Sequence, residues 1–242
     1  MSATITKMFQ VLSRDGWLRT GERLWAGFFG WIGSWQLSHT LGRVRNLWRL
    51  PAARRRYPGG KLNLGCGPDW REGWLNADLG LTGDIHLDAI RRFPFPNDFF
   101  TMIFSEHMLE HLPESAAEVC LRECHRVLQP GGVLRVSTPD LAQAVRKYLA
   151  PLGETEADRT VAAAVTGWKY PQGLPTPAQW LNDGFYLWEH RHLYDEQNLT
   201  EALQKAGFSD IRRIGARDGL SEPAARLESR IDDSLVVEAR KT

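Results

Sequence analysis

A chain of 242 residues is long enough for one α/β domain with an appendage and too short for two full enzyme domains. Its 43% hydrophobic and 24% charged residues exclude a disordered or fibrous polypeptide and leave material for a single core. The net charge of +1 hides an asymmetry: residues 1–58 carry ten Lys/Arg against two Asp/Glu, and residues 59–242 carry twenty against twenty-seven, so the acidic body argues against a nucleic-acid groove.

The first segment, 1–58, also holds five of the ten tryptophans, Trp17, Trp25, Trp31, Trp35 and Trp48. Ile5, Met8, Phe9 and Leu12 recur at helical spacing, as do Trp25, Phe29, Ile32 and Trp35. Arg43, Arg45, Arg49 and Arg54 to Arg56 follow, and Pro58-Gly59-Gly60 closes the segment. The pattern predicts two or three helical pieces. Asp15, Arg19, Glu22 and Arg23 interrupt any early apolar run, so a standard signal peptide is not expected. Leu24–Gly42 lacks formal charge over 19 residues but contains four glycines and several polar side chains, which is poor material for a membrane span. Tryptophans and arginines on helices suit a peripheral contact with an anionic membrane face; helices that cover the sheet or join two copies of the chain are the competing reading.

From Lys61 the pattern alternates between strand and helix. Strands are predicted at Lys61–Leu64, Trp74–Asp78, Ile85–Leu87, Thr101–Ser105, Val133–Thr138, Ile211–Ile214 and Leu235–Ala239. A helix opens at Pro113 and stops at Gln129-Pro130-Gly131-Gly132. A second runs from an Asp195 cap to Ala206, ahead of Gly207. This order implies a Rossmann-like α/β fold with a seven-stranded, mostly parallel sheet and helices on both faces, preceded by an N-terminal helical extension. Residues 59–242 form the main domain, and the irregular, aromatic stretch 141–193 is an insert on the acceptor side.

Chemistry concentrates at strand ends. Leu62-Asn63-Leu64-Gly65-Cys66-Gly67 puts glycines directly after the first strand, where the backbone can approach a ligand at the carboxyl edge of the sheet. Asp78 ends the next strand, where a carboxylate can accept from two ribose hydroxyls, and Asp88 follows the third. A nicotinamide-dependent oxidoreductase would need G-x-G-x-x-G, and Trp70 stands at the third glycine. Cys66, Cys120 and Cys124 have no framework spacing and read as reduced thiols of a cytoplasmic protein; Cys120 and Cys124, four apart on a helix, read as core rather than metal ligands.

Taken in order, LNLGCG, NADL, LDAIRRFPFPND, SEHMLEHL and ECHRVLQPGGVLRVSTPDL resemble the motifs of class I S-adenosylmethionine (SAM)-dependent methyltransferases of the type 11 group, and HLYDEQNLTEALQKAGF is similar to the distal part of a bacterial branch. The resemblance covers roughly residues 60–240. It implies SAM as cofactor, with Asn63, Leu64, Gly65 and Gly67 along its methionine part, Asp78 and Leu79 at the ribose, Asp88 and Ala89 at the adenine, and Ser105, Glu106 and His107 near the sulfonium. Asn63 replaces the usual acidic residue, and it cannot neutralise the SAM amino group. Thr101 stands where many relatives have Asp. The Gly67–Trp74 connection is too short for a crossover helix, so the first βαβ unit must be abbreviated.

The reading is a metal-independent transferase acting on a small-molecule, glycan or lipid-linked acceptor, with O-methylation favoured. A general base assists when the nucleophile is a hydroxyl. His107, His190 and His192 are the candidates, with His111 more structural and Glu110 and Asp140 behind them. Tyr186, Trp188 and Tyr194 could line the acceptor side or pack in the core. The fourth strand lacks the Asn/Asp-Pro-Pro-aromatic end of base amino-methyltransferases, so no nucleic-acid partner is expected. A non-catalytic SAM-fold scaffold is the remaining alternative.

Overall fold

A computed structural model describes residues 35–149, 178, 182–183, 188–215, 227–229 and 234–242. The expected helices before residue 35, Tyr186 and most of the 141–193 insert lie outside the described residues.

Seven strands form one sheet in the order β3-β2-β1-β4-β5-β7-β6. They are β1 (Lys61–Leu64), β2 (Leu75–Asp78), β3 (Ile85–His86), β4 (Phe100–Glu106), β5 (Leu128–Pro139), β6 (Ser209–Arg213) and β7 (Ser234–Arg240). β1 through β5 pair in parallel, and β7 inserts antiparallel between β5 and β6. The parallel centre explains the continuous apolar reading of β1 and β4: both faces of these strands are covered. β5 begins at Leu128, before the predicted Val133. The exposed Gly131, at φ 78°, donates its N–H to Lys241 across the sheet, so the Pro-Gly-Gly turn becomes a kink within the strand.

The connection from β1 to β2 contains turns and no helix, as the short Gly67–Trp74 spacing requires. Helix α1 spans Trp35–Arg56, α2 Glu114–Val127, α3 Leu141–Leu149 and α4 Glu196–Lys205. Pro113 stands at the N-cap of α2, where its missing N–H costs nothing. Asp195 caps α4 by accepting from the N–H of Asn198 at 2.8 Å. The apolar stripes of α2 (Ala117, Leu121, Cys124) and α4 (Leu199, Leu203) share one core with Leu62, Ile103 and Leu134 of the sheet. Cys120 and Cys124 are buried there as free thiols, and Tyr194 is core as well. Trp74, Met102, Phe104 and Leu227 form a smaller cluster of their own; Met102 and Phe104 flank the main-core Ile103 along β4 and so point to the opposite face.

α1 is a single helix of 22 residues through Pro51, longer than any piece predicted for the segment. It is tied to the β3 edge by side chains rather than by a large apolar face. Arg45 donates to the carbonyls of Leu81 and Gly83 at 2.7 and 3.0 Å, and Asn46 exchanges two hydrogen bonds with the backbone of His86. Gly42 lets the helix approach the His86 ring, which any Cβ there would strike at 2.6 Å. Leu47, Trp48 and Val44 remain exposed on the outer face, at 72%, 60% and 44%.

Candidate active site

The loop leaving β1 is stitched to the end of β2. The N–H groups of Gly65 and Cys66 both donate to the Ala77 carbonyl, at 2.9 and 3.1 Å. Gly65 and Gly67 adopt φ of 69° and 47°, the left-handed region that favours glycine. A Cβ on Gly65 would lie 2.8 Å from Cβ of Met108, so the site requires glycine sterically as well. Over Gly67 nothing stands within 4 Å. Asp78, ending β2, accepts from the Gly67 N–H at 2.9 Å and from the Gly80 N–H at 2.7 Å. Asn63, buried under the loop, donates to the Asp69 carbonyl and to Oδ1 of Asn76, each at 2.9 Å, and its own Oδ1 takes no bond from the described residues.

The far wall comes from the end of β4. Glu106 accepts from the N–H of Ser229 at 2.6 Å and from its hydroxyl at 3.1 Å, and lies 3.7 Å from the Arg71 guanidinium. Arg71 in turn lies over the Phe104 ring at 4.3 Å and donates to the Leu227 carbonyl. His107 takes a φ of 47°, a strained value for a residue with a side chain, and is held by its N–H on the Ser137 carbonyl at 2.8 Å. Its ring spans two groups: Nε2 lies 2.8 Å from the Ser234 hydroxyl, and Nδ1 lies 3.1 Å from Oε1 of Glu110.

Glu110 is fully buried and is also bonded by the Thr138 hydroxyl at 3.2 Å. Burial alone would raise its carboxyl, but the His107 contact, its own backbone and the nearby His111 outweigh that and hold it below the ordinary glutamate range. The Cys66 thiol is pushed far up by burial and by the neighbouring Asp78, so it stays protonated and is no nucleophile.

These walls enclose a cavity of about 120 Å³. Of the residues singled out in the sequence, Asn63, Gly65, Gly67, Glu106 and His107 line it together. Asp78 adjoins it through the Gly67 N–H. Leu64 and Ser105 are buried within the sheet, and Leu79 lies just beyond Asp78. Asp88 sits further along the edge, where it bonds the Ile90 N–H at 3.2 Å and Arg91 at 2.9 Å, with Ala89 beside it. His190 lies against His111, ring centres 5.0 Å apart, rather than on the cavity wall. His192 is committed elsewhere, with Nε2 2.8 Å from Oδ1 of Asn198 and its ring against Tyr194. Asp140 caps α3 and pairs with Arg213 at 2.8 Å.

Sequence reasoning missed Arg71, Asp69 and Ser229 on the cavity wall. Arg71 follows Trp70 in a turn-rich stretch and carries no periodic signal. Ser229 reaches the site only because its neighbour Glu228 pairs with Arg135 of β5 in the interior, at 2.8 Å. No local pattern announces such a contact.

The family model for the methyltransferase domain matches residues 72–136. The methyltransferase ktnA of Aspergillus niger is 27% identical over 181 residues, covering 70% of this chain and 53% of its own. The chain thus spans about half the length of the curated relative it matches. Among solved structures, a SAM-dependent methyltransferase from Archaeoglobus fulgidus is similar at TM-score 0.45 and 15% identity, with 88% of this chain and 97% of that one covered. Another from Mesorhizobium loti is similar at TM-score 0.43 and 20% identity, with 81% and 97% covered. Residues 72–136 thus resemble a methyltransferase domain, and the sheet order with its glycine loop after β1 is the arrangement that the sequence motifs implied.

Proposed function

We propose that the chain methylates an oxygen of a small-molecule, glycan or lipid-linked acceptor, using the cavity between the glycine loop and the end of β4. The observation that carries this reading is an open glycine loop and a histidine on one cavity, the histidine backed by the buried Glu110. SAM bound there would supply an electrophilic methyl group on a sulfonium. Gly65 and Gly67 would let its methionine part approach the backbone, and the Asp78 oxygens, already aligned by two N–H donors, would accept from the ribose. Glu106 would place negative charge on the cavity wall. Asp88 and Ala89, with Leu79, would face the adenine at the open β2–β3 edge.

His107 is the preferred base. It lines the cavity, and its Nε2, 2.8 Å from the Ser234 hydroxyl, is a ring nitrogen able to bond an O–H group. The ionised Glu110 behind Nδ1 would stabilise the ring as it takes the proton. His190 and His192 are weaker candidates, because His111 and Asn198 hold them away from the cavity. The test is turnover across a panel of hydroxyl acceptors followed by product mass. A gain of one methyl that falls steeply in His107→Ala, with SAM affinity retained, supports the reading; transfer to nitrogen or carbon overturns it.

A peripheral membrane contact is supported by a separate observation. Val44, Leu47 and Trp48 project from α1 beside the exposed Arg43 and Arg54 to Arg56. Apolar rings flanked by guanidiniums suit the headgroup layer of an anionic membrane. No helix among the described residues is long and apolar enough to cross a membrane. Vesicle flotation tests the contact.

A further inference from the structure

Glu110, His111 and His190 come from two separate stretches of the chain, and one ligand atom from each lies within 4.8 Å of the others. We propose that these three residues form a binding site for a first-row divalent metal ion of the zinc type, beside the methyl-transfer cavity.

The first support is the carboxylate. Glu110 is fully buried, and its Oε1 makes no hydrogen bond, with Nδ1 of His107 in ion-pair contact at 3.1 Å. A buried carboxylate oxygen left so incompletely satisfied carries a substantial desolvation cost, which a cation would remove.

The second support is the way the ligands are held. The N–H groups of Arg191 and His192 both donate to the Glu110 carbonyl, at 2.7 and 3.1 Å, which fastens the 188–193 stretch onto the turn that carries Glu110 and His111. The two histidine rings then meet edge to face with centres 5.0 Å apart. Two imidazoles and a carboxylate form a nitrogen–oxygen set that suits zinc, cobalt or iron(II) rather than magnesium or calcium. Tetrahedral bonds of about 2.0–2.1 Å put ligand atoms about 3.3 Å apart, so the site must close by roughly 1.5 Å. The exposed His111 can supply that movement by rotating its side chain.

The third support lies behind the ligands. Thr138 donates to Oε2 of Glu110 at 3.2 Å, and His107 stands at the other oxygen. Such outer partners orient a metal-binding carboxylate. Three protein ligands leave a coordination position open, and His107 is the residue that joins the site to the cavity.

The proposal does not depend on methyl transfer, because it is tested on the full chain without SAM or acceptor. Calorimetry with zinc chloride, and visible absorption with cobalt(II), are the readouts. The expected result is one ion bound per chain, with a cobalt spectrum of nitrogen–oxygen ligation and no sulfur-to-cobalt charge-transfer band. Affinity should fall more than about a hundredfold in His111→Ala and in His190→Gln, and about tenfold or more in Thr138→Val. His192→Ala should bind as the parent does, since His192 faces Asn198. His86→Gln should also bind normally, although His86 faces His39 at 4.9 Å. His111 is exposed, so its replacement should leave the fold intact, as circular dichroism would check. No binding to the parent chain, binding that survives His111→Ala, or binding lost in His86→Gln would overturn the proposal.

Discussion

The N–H of Gly67 donates to Oδ2 of Asp78 across 2.9 Å, joining the loop after β1 to the end of β2. The bond leaves the carboxylate held at both oxygens, by Gly67 and Gly80, with further lone pairs free for a diol. Asp78→Ala is expected to weaken SAM and S-adenosylhomocysteine binding by about 1.5–3 kcal/mol, the usual worth of hydrogen bonds to a charged group. Titration calorimetry measures this directly. Unchanged affinity would remove Asp78 from the cofactor site.

The two glycines of the loop should respond differently to alanine. At Gly65 the added methyl would collide with Met108, and the φ of 69° is unfavourable in addition. At Gly67 the methyl enters open space, so only the backbone penalty of about 1–2 kcal/mol applies. Gly65→Ala should therefore lower the thermal midpoint more than Gly67→Ala. Gly67→Ala should instead lose cofactor affinity disproportionately, because Gly67 lines the cavity and its methyl would stand in open space there. Equal midpoints for the two variants would contradict this geometry.

Arg135 is fully buried between two carboxylates, 2.8 Å from Glu228 and 2.7 Å from Glu238. Burial would lower its pKa, but the two glutamates more than restore it, so the cluster is charged in the folded chain. Arg135→Met leaves two buried carboxylates facing each other and is expected to cost about 3–5 kcal/mol. Urea unfolding gives the value. Glu228→Gln should be milder in stability but should disturb the cavity, because the adjacent Ser229 is what holds Glu106.

Acid should weaken the fold before the carboxylates protonate. Burial lowers the pKa of His86, helped by the neighbouring His39 and Arg45 against Asp88, and lowers that of His125, helped by Lys241. Both are held below the ordinary histidine value of about 6.5 that the unfolded chain keeps. As pH falls below that value, the unfolded state takes up protons the folded state resists, and stability drops. Thermal midpoints measured from pH 7.5 down to about pH 5.5 should decline, and His86→Gln should flatten the decline. A slope unchanged in both His86→Gln and His125→Gln would place its origin elsewhere.

The outer face of α1 offers a test of membrane contact that leaves the cavity untouched. Leu47→Glu together with Trp48→Glu should abolish flotation with anionic vesicles at low salt, while thermal stability stays close to the parent because both side chains are exposed. Added salt should weaken the parent's binding as the arginine contribution, about 1 kcal/mol per residue, is screened. Failure of the parent chain to float with any lipid mixture would end the membrane reading.

Local patterns were enough to read much of this protein. β1, with its glycine loop, is a run of apolar residues followed by positions where a side chain cannot fit, and both facts are written in adjacent residues. The caps at Pro113 and Asp195, and the missing helix between Gly67 and Trp74, are likewise matters of short spacing. What tertiary structure alone decided was which side chains meet. The sequence offered Glu110 only as a carboxylate behind the candidate histidines, and only the packing of β5 and the 188–193 stretch buries it between His107, Thr138 and His190. Ser229 enters the cavity through an ion pair with a strand more than ninety residues earlier. His192, equal to His190 in sequence, is turned away by Asn198 on a helix whose position depends on the whole sheet. Contacts of this kind depend on close packing in three dimensions, where small displacements decide which polar groups pair, and no periodicity along the chain encodes them.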